Sequence, residues 1–156
     1  VGDVFVIPED KIKKDNMLIT GIDGKKMSKS KGNVIDIFQT DKELRKQIMS
    51  IQTDSTSLEA PKEWSSCNSF AIYKLLASDY QIAEMKRNYE AGGYGYGHAK
   101  QALFELICEQ FSEQRKLYAY YMDNLEEIDQ ALEIGAKKAA KVANGVLDRI
   151  RGKIGY

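Results

Sequence analysis

Residues 124–151 read NLEEIDQALEIGAKKAAKVANGVLDRIR, and their spacing decides the fold class. Ile128, Leu132, Ala136, Ala139, Ala143, Val146 and Ile150 recur every three or four residues, which puts them on one face of an α-helix. The same period continues toward the N-terminus. Ala99, Leu103, Leu106, Ile107 and Phe111 predict a long helix from about His98 to Tyr121. Ser78 and Gln81 form a capping box that opens another helix, which ends at Gly92 and Gly93. Ala71, Ile72, Leu75 and Leu76 mark a shorter one. Thr40 with Glu43 caps a helix through Ser50, with Leu44, Ile48 and Ile51 along one face. Helices with one apolar stripe bury it against each other, so the expected fold is mainly α, a small helical bundle.

Residues 1–38 have a different texture. Val4-Phe5-Val6-Ile7 before Pro8 and Met17-Leu18-Ile19-Thr20 before Gly21 predict two short strands. Two short strands and a long loop cannot bury a core alone, so this region is expected to be the edge of a larger domain. The chain opens without Met and without the basic start and apolar block of a signal peptide, which predicts an origin inside a longer protein.

Composition excludes some classes. No apolar run reaches membrane-spanning length, so no membrane role is expected. Net charge is zero, so any attraction for nucleic acid must come from local charge. Cys67 and Cys108 stand apart, which suits free thiols in a reducing cytoplasm better than a disulfide framework. No metal-ligand spacing occurs, and no metal ligands are assigned.

Local charge is concentrated in one loop, Gly21-Ile22-Asp23-Gly24-Lys25-Lys26-Met27-Ser28-Lys29-Ser30-Lys31-Gly32-Asn33. From Lys11 to Lys31 seven lysines face Asp15 and Asp23, a local excess of five positive charges. Lysine is a compact cation on a flexible stem, suited to a polyphosphate approached from several sides. Gly24 and Gly32 permit the loop to turn and move. Ser28, Ser30 and the backbone N–H groups between them add short donors for phosphate or adenine. A Lys/Ser-rich loop can equally be a solvated surface; the intact Lys26-Met27-Ser28-Lys29-Ser30 string separates this one from a generic charge run.

That string is the signature loop of class I aminoacyl-tRNA synthetases. Three further segments narrow the resemblance. They are Ile48 to Ser55 with its Thr53-Asp54-Ser55 turn, Asn68 to Leu76 with Tyr73-Lys74-Leu75, and the Gly-rich link Tyr89 to Lys100. Over essentially its whole length the chain resembles the C-terminal half of bacterial-type tryptophanyl-tRNA synthetases, with the tyrosine enzymes as nearest relatives. The resemblance implies that residues 1–38 close a nucleotide-binding α/β catalytic domain and residues 39–156 form a helical anticodon-binding domain. It implies that Lys26 and Lys29 are catalytic, contacting ATP phosphates and then pyrophosphate. Met27 and Ser28 would lie beside the nucleotide, Ser30 would help close the loop, and Met17 and Leu18 would present backbone to adenine. Implied partners are ATP with Mg²⁺, tryptophan and tRNA(Trp), in a cytoplasmic homodimer. A stand-alone helical RNA-binding module and a tyrosyl-tRNA synthetase fragment are the competing readings.

The pattern is incomplete. Class I enzymes carry a His-x-Gly-His type motif, whereas this chain has one histidine, His98. The chain alone is therefore expected to be inactive in ATP–pyrophosphate exchange. His98 reads as a surface residue at a helix start, Trp64 as a packing anchor, and the Gly-rich link with Tyr94 and Tyr96 as a turn between helices. Tyr94, Tyr96 and Arg115 are candidates for reading anticodon bases. The last helix runs from an acidic half (Asp123, Glu126, Glu127, Asp129, Glu133) to a basic half (Lys137, Lys138, Lys141, Arg149, Arg151, Lys153). Matching to the helix macrodipole and contact with an RNA backbone both account for that order.

Overall fold

The computed structural model describes residues 5–11 and 19–155. Six α-helices and no strand are present among the described residues: α1 Asp41–Met49, α2 Asn68–Tyr73, α3 Asp79–Ala91, α4 Tyr96–Gln110, α5 Ser112–Asp123 and α6 Leu125–Ile154. The chain divides into two compact units, Lys14–Lys116 in one, and Val1–Lys13 with Leu117–Tyr156 in the other.

In the first unit α1 and α2 pack on α4. Leu44 and Ile48 from α1, Phe70, Ile72 and Tyr73 from α2, Met85 and Tyr89 from α3, and Leu103, Leu106 and Ile107 from α4 form the core. Leu44, Ile48, Tyr89 and Leu103 are completely buried. Aromatic rings link the elements: Phe70 lies 5.5 Å from Trp64 and 6.1 Å from Tyr89, centroid to centroid. Trp64 is indeed a packing anchor; its Nε1 donates to Glu90 at 2.9 Å, and the Lys86 ammonium sits 3.9 Å above the ring.

The capping box expected at Ser78 and Gln81 forms, whereas at Thr40 and Glu43 only one half of it does. Thr40 Oγ1 accepts from Glu43 N, and Ser78 exchanges bonds with Gln81 in both directions. Ser78→Ala is expected to cost about 1 kcal/mol. Urea unfolding followed by Trp64 fluorescence would measure it, and an unchanged midpoint would remove the cap from the account of α3.

Three expectations are corrected. The strand expected at residues 4–7 is absent at Phe5, Val6 and Ile7, which are exposed and carry no ladder, while Val4 lies outside the described residues. The strand expected at 17–20 reduces to one antiparallel bridge, Thr20 to Lys26, with Met17 and Leu18 outside the described residues. A strand exists only with a partner, and here the partner is the loop itself. The long helix expected from His98 to Tyr121 breaks at Phe111, where φ is −103° and ψ 15°. Phe111 packs on the core, Gln110 Nε2 donates to Leu76 O at 2.6 Å, and Arg115 bonds Ile37 O and Asp41. Both sides of the break are thus tied to different segments. Helix α2 is also shorter than expected, because Leu75 and Leu76 bond back three residues and tighten the chain into a turn.

In the second unit α6 runs for 30 residues, about 45 Å at 1.5 Å per residue. Its acidic first turn and basic last turn complement the macrodipole, and Lys137 pairs with Glu133 at 2.7 Å. Its apolar stripe is not core: Leu132, Ala136, Ala139, Ala143 and Val146 are exposed, and Ile128 and Ile150 are half-exposed. No helix among the described residues is long and apolar enough to cross a membrane.

Candidate functional site

The loop at residues 19–33 is a tight, internally bonded turn resting on the helical core. Met27 N donates to Ile19 O and Gly21 N to Lys25 O, so the chain doubles back on itself. Gly24, at φ +72°, makes the reversal, and Gly32, at φ +65°, ends a 3₁₀ turn at Lys29–Lys31. Both angles lie in the left-handed region that other residues rarely enter. The loop is tied to the helices through Gln52, whose N–H donates to Ile22 O and whose carbonyl accepts from Asn68 Nδ2.

At the centre sits Asn33, 3% exposed. Its Nδ2 donates to Asp23 Oδ1 at 2.7 Å and to Lys26 O at 3.1 Å, its Oδ1 accepts from Ser28 N at 2.8 Å, and its carbonyl accepts from Ile22 N at 3.0 Å. One carboxamide therefore fixes the entry, the middle and the exit of the loop. The Asn33 hydrogen bond, helped by the Lys25 N–H, holds the Asp23 carboxyl below its usual range. In the sequence Asn33 does no more than end the loop. The one local hint was a polar residue directly after the Gly that ends the lysine cluster.

The expected site residues take different positions. Lys26 and Lys29 are exposed, as are Lys25 and Lys31, and none of the four makes an ion pair with a described residue. Ser28 and Ser30 hydroxyls lie 2.9 Å apart. Met27 is turned inward, packing on the core and lining an apolar groove of about 300 Å³ with Ile19, Ile35, Ile37, Leu75 and Phe111. Met27 thus anchors the loop, while the lysines on either side of it face solvent. Met17 and Leu18 fall outside the described residues.

Gly21 is buried against Asn33. A Cβ built there would lie 2.3 Å from Asn33 O and 2.6 Å from its Cγ. Gly21→Ala must push the Asn33 backbone aside, at an expected cost of about 2 kcal/mol. Thermal melting would measure the loss, and faster tryptic cutting at Lys25 and Lys26 would place it in the loop. An unshifted melting curve would contradict the close approach.

Other candidates are committed to structure. Tyr94 and Tyr96 are half-buried with ring centroids 5.8 Å and 5.9 Å from Tyr89. Tyr96 OH donates to Asp54 at 2.8 Å, and burial with that bond pushes the Tyr96 phenol up to about 12. His98 is exposed and accepts from Gly95 N, capping α4. Cys67 and Cys108 are free thiols. Among the described residues no group of three or more His, Cys, Asp or Glu side chains could hold a metal ion.

The family model for tRNA synthetases class I (W and Y) matches residues 3–112. The chain belongs to this family. The signature loop and α1 to α4 all lie within the matched span. The tryptophan–tRNA ligase of Campylobacter jejuni is 43% identical over 154 residues, covering 99% of this chain and 48% of that protein. That of Rhodopirellula baltica is 38% identical with the same coverage. The crystal structure of the Campylobacter jejuni tryptophanyl-tRNA synthetase, complexed with ADP and tryptophan, superposes with a TM-score of 0.87 at 42% identity. It covers 99% of this chain and 49% of its own. The chain spans about half the length of the relatives it matches.

Proposed function

We propose that this chain is the C-terminal half of a tryptophan–tRNA ligase, with the loop at 21–33 serving amino-acid activation. The observation that carries the reading is a latched loop whose Lys26 and Lys29 side chains are exposed, with no carboxylate paired to them among the described residues. In activation, the tryptophan carboxylate attacks the ATP α-phosphate, the bond to the β-phosphate breaks, and pyrophosphate leaves with the electron pair. Charge on the leaving group is greatest in the transition state. Ammonium groups that tighten on it only then raise the rate instead of merely the affinity. Lys26 and Lys29 take that role, Ser28 and Ser30 and their N–H groups contact the nucleotide, and Met27 keeps the loop seated. Met17 and Leu18 offer backbone to adenine. Mg²⁺ arrives bound to the ATP phosphates.

In this reading residues 1–38 complete the catalytic domain and residues 39–156 recognise the anticodon of tRNA(Trp). The tryptophan pocket and the His-x-Gly-His type motif belong to the other half of a cytoplasmic homodimer's polypeptide. With Tyr94, Tyr96 and Arg115 occupied in packing, the anticodon contacts fall to other residues of the helical region. The test is tryptophan-dependent ATP–pyrophosphate exchange and tRNA charging by the complete polypeptide. Charging with tryptophan is expected, and no exchange by the 156-residue chain alone. Charging with tyrosine, or tRNA binding without any exchange by the complete polypeptide, would overturn it.

A further inference from the structure

We propose that Asn33 is a positioning residue that holds the loop's only acid away from its lysines. Between Gly21 and Asn33 there are four lysines and one carboxylate, Asp23. An aspartate two to eight residues from four flexible ammonium groups on an exposed loop would ordinarily pair with one of them. It does not. Its Oδ1 is taken by Asn33 Nδ2 at 2.7 Å and by Lys25 N at 3.1 Å. Asn33 is itself buried and fully used, with both Nδ2 hydrogens and Oδ1 engaged, so it cannot swing away without breaking three bonds. Its second donor and its acceptor fix Lys26 O and Ser28 N, the backbone on either side of Met27. One carboxamide thus does two things. It sets the course of the segment bearing Lys26 and Lys29, and it keeps their charge available for an incoming polyphosphate.

A released Asp23 would compete with a phosphate ligand for the exposed lysines by up to about fivefold. Loosening of the backbone adds to that. This inference rests on the phosphate-gripping reading of the loop, and the experiment separates the two.

Inorganic pyrophosphate is titrated calorimetrically at low ionic strength into the 156-residue chain and into three variants, with circular dichroism to confirm folding. Saturable binding to the unaltered chain is expected. Asn33→Ala should weaken it by about tenfold, and Asp23→Asn in the Asn33→Ala background should return it to within about threefold of the unaltered chain. A role confined to stability predicts no such rescue, because the second change adds no packing. Asp23→Asn alone, whose amide oxygen can still accept from Asn33, should bind within about twofold of the unaltered chain, since Asn33 already keeps Asp23 from competing, and it decides the matter if Asn33→Ala does not fold. No saturable binding by the unaltered chain would sink the phosphate grip, and the positioning role with it. Binding by the unaltered chain that is indifferent to Asn33→Ala, or not rescued by Asp23→Asn, would sink the positioning role alone. So would an Asp23→Asn single variant that binds about fivefold more tightly than the unaltered chain.

Discussion

Alanine at both Lys26 and Lys29 is expected to lower tryptophan-dependent ATP–pyrophosphate exchange by the complete polypeptide by roughly 10⁴-fold. Removing a single preorganised donor to developing negative charge typically costs about 10²–10³ in kcat. The two losses need not add, since groups acting on one leaving group behave as a unit. The loss should fall on kcat, with the KM for ATP moving much less, because the ground-state triphosphate is less charged at the bond being broken than the departing pyrophosphate. The structure adds a specific reason for confining the damage to chemistry. Both side chains are exposed, and the loop's seat is made by Met27, Asn33 and the Gln52 contacts, none of which the substitutions touch. Melting temperature and tRNA affinity should therefore stay close to those of the unaltered enzyme. Normal turnover in the double variant would end the assignment of these lysines.

Lys62→Ala is expected to destabilise the first unit by about 3 kcal/mol. Lys62 is 4% exposed, yet it lies in the irregular connector between α1 and α2. Its ammonium donates to the carbonyls of Ser57 at 2.8 Å, Leu58 at 3.0 Å and Ala60 at 3.0 Å, so all three hydrogens are used. The Tyr96 ring lies 5.6 Å from the same nitrogen, and Lys62 N donates to Tyr89 O at 2.8 Å. The lysine works as an internal cation that gathers residues 57–60 over the aromatic cluster. Lys62→Met keeps most of the stem's volume but abandons the three carbonyls, so it should recover only the packing part. Urea unfolding of both variants, read by Trp64 fluorescence, gives the two contributions. If both midpoints match the unaltered chain, the ammonium is not what holds the connector.

The contrast between Lys62 and the helix caps explains which features were legible in the sequence. Thr40 with Glu43 and Ser78 with Gln81 act across three residues, so a short window contains both partners. The core faces of α1 and α4 were also readable, since Leu44, Ile48, Leu103 and Ile107 obey the helical period and are buried. The polyphosphate reading of the lysine loop could be drawn from its composition and its signature string, yet what holds the loop could not. Asn33 meets Asp23 and Ser28 only after the chain reverses at Gly24, and Gly21 matters only because Asn33 O comes to rest against it. The same limit explains the misplaced long helix: the pulls on Gln110 and Arg115 come from residues 34 to 78 positions away.

By itself the sequence determined a mainly helical protein, the capped starts of α1 and α3, and a cationic loop closed by glycines, because each depends on interactions between near neighbours. Tertiary structure alone decided that Met27 turns inward while Lys26 and Lys29 turn out, that Asn33 and Lys62 are buried organisers, and that the stripe of α6 stays exposed. Helical periodicity says that a face can be buried; what buries it depends on which distant surfaces arrive, and that is a property of the folded chain.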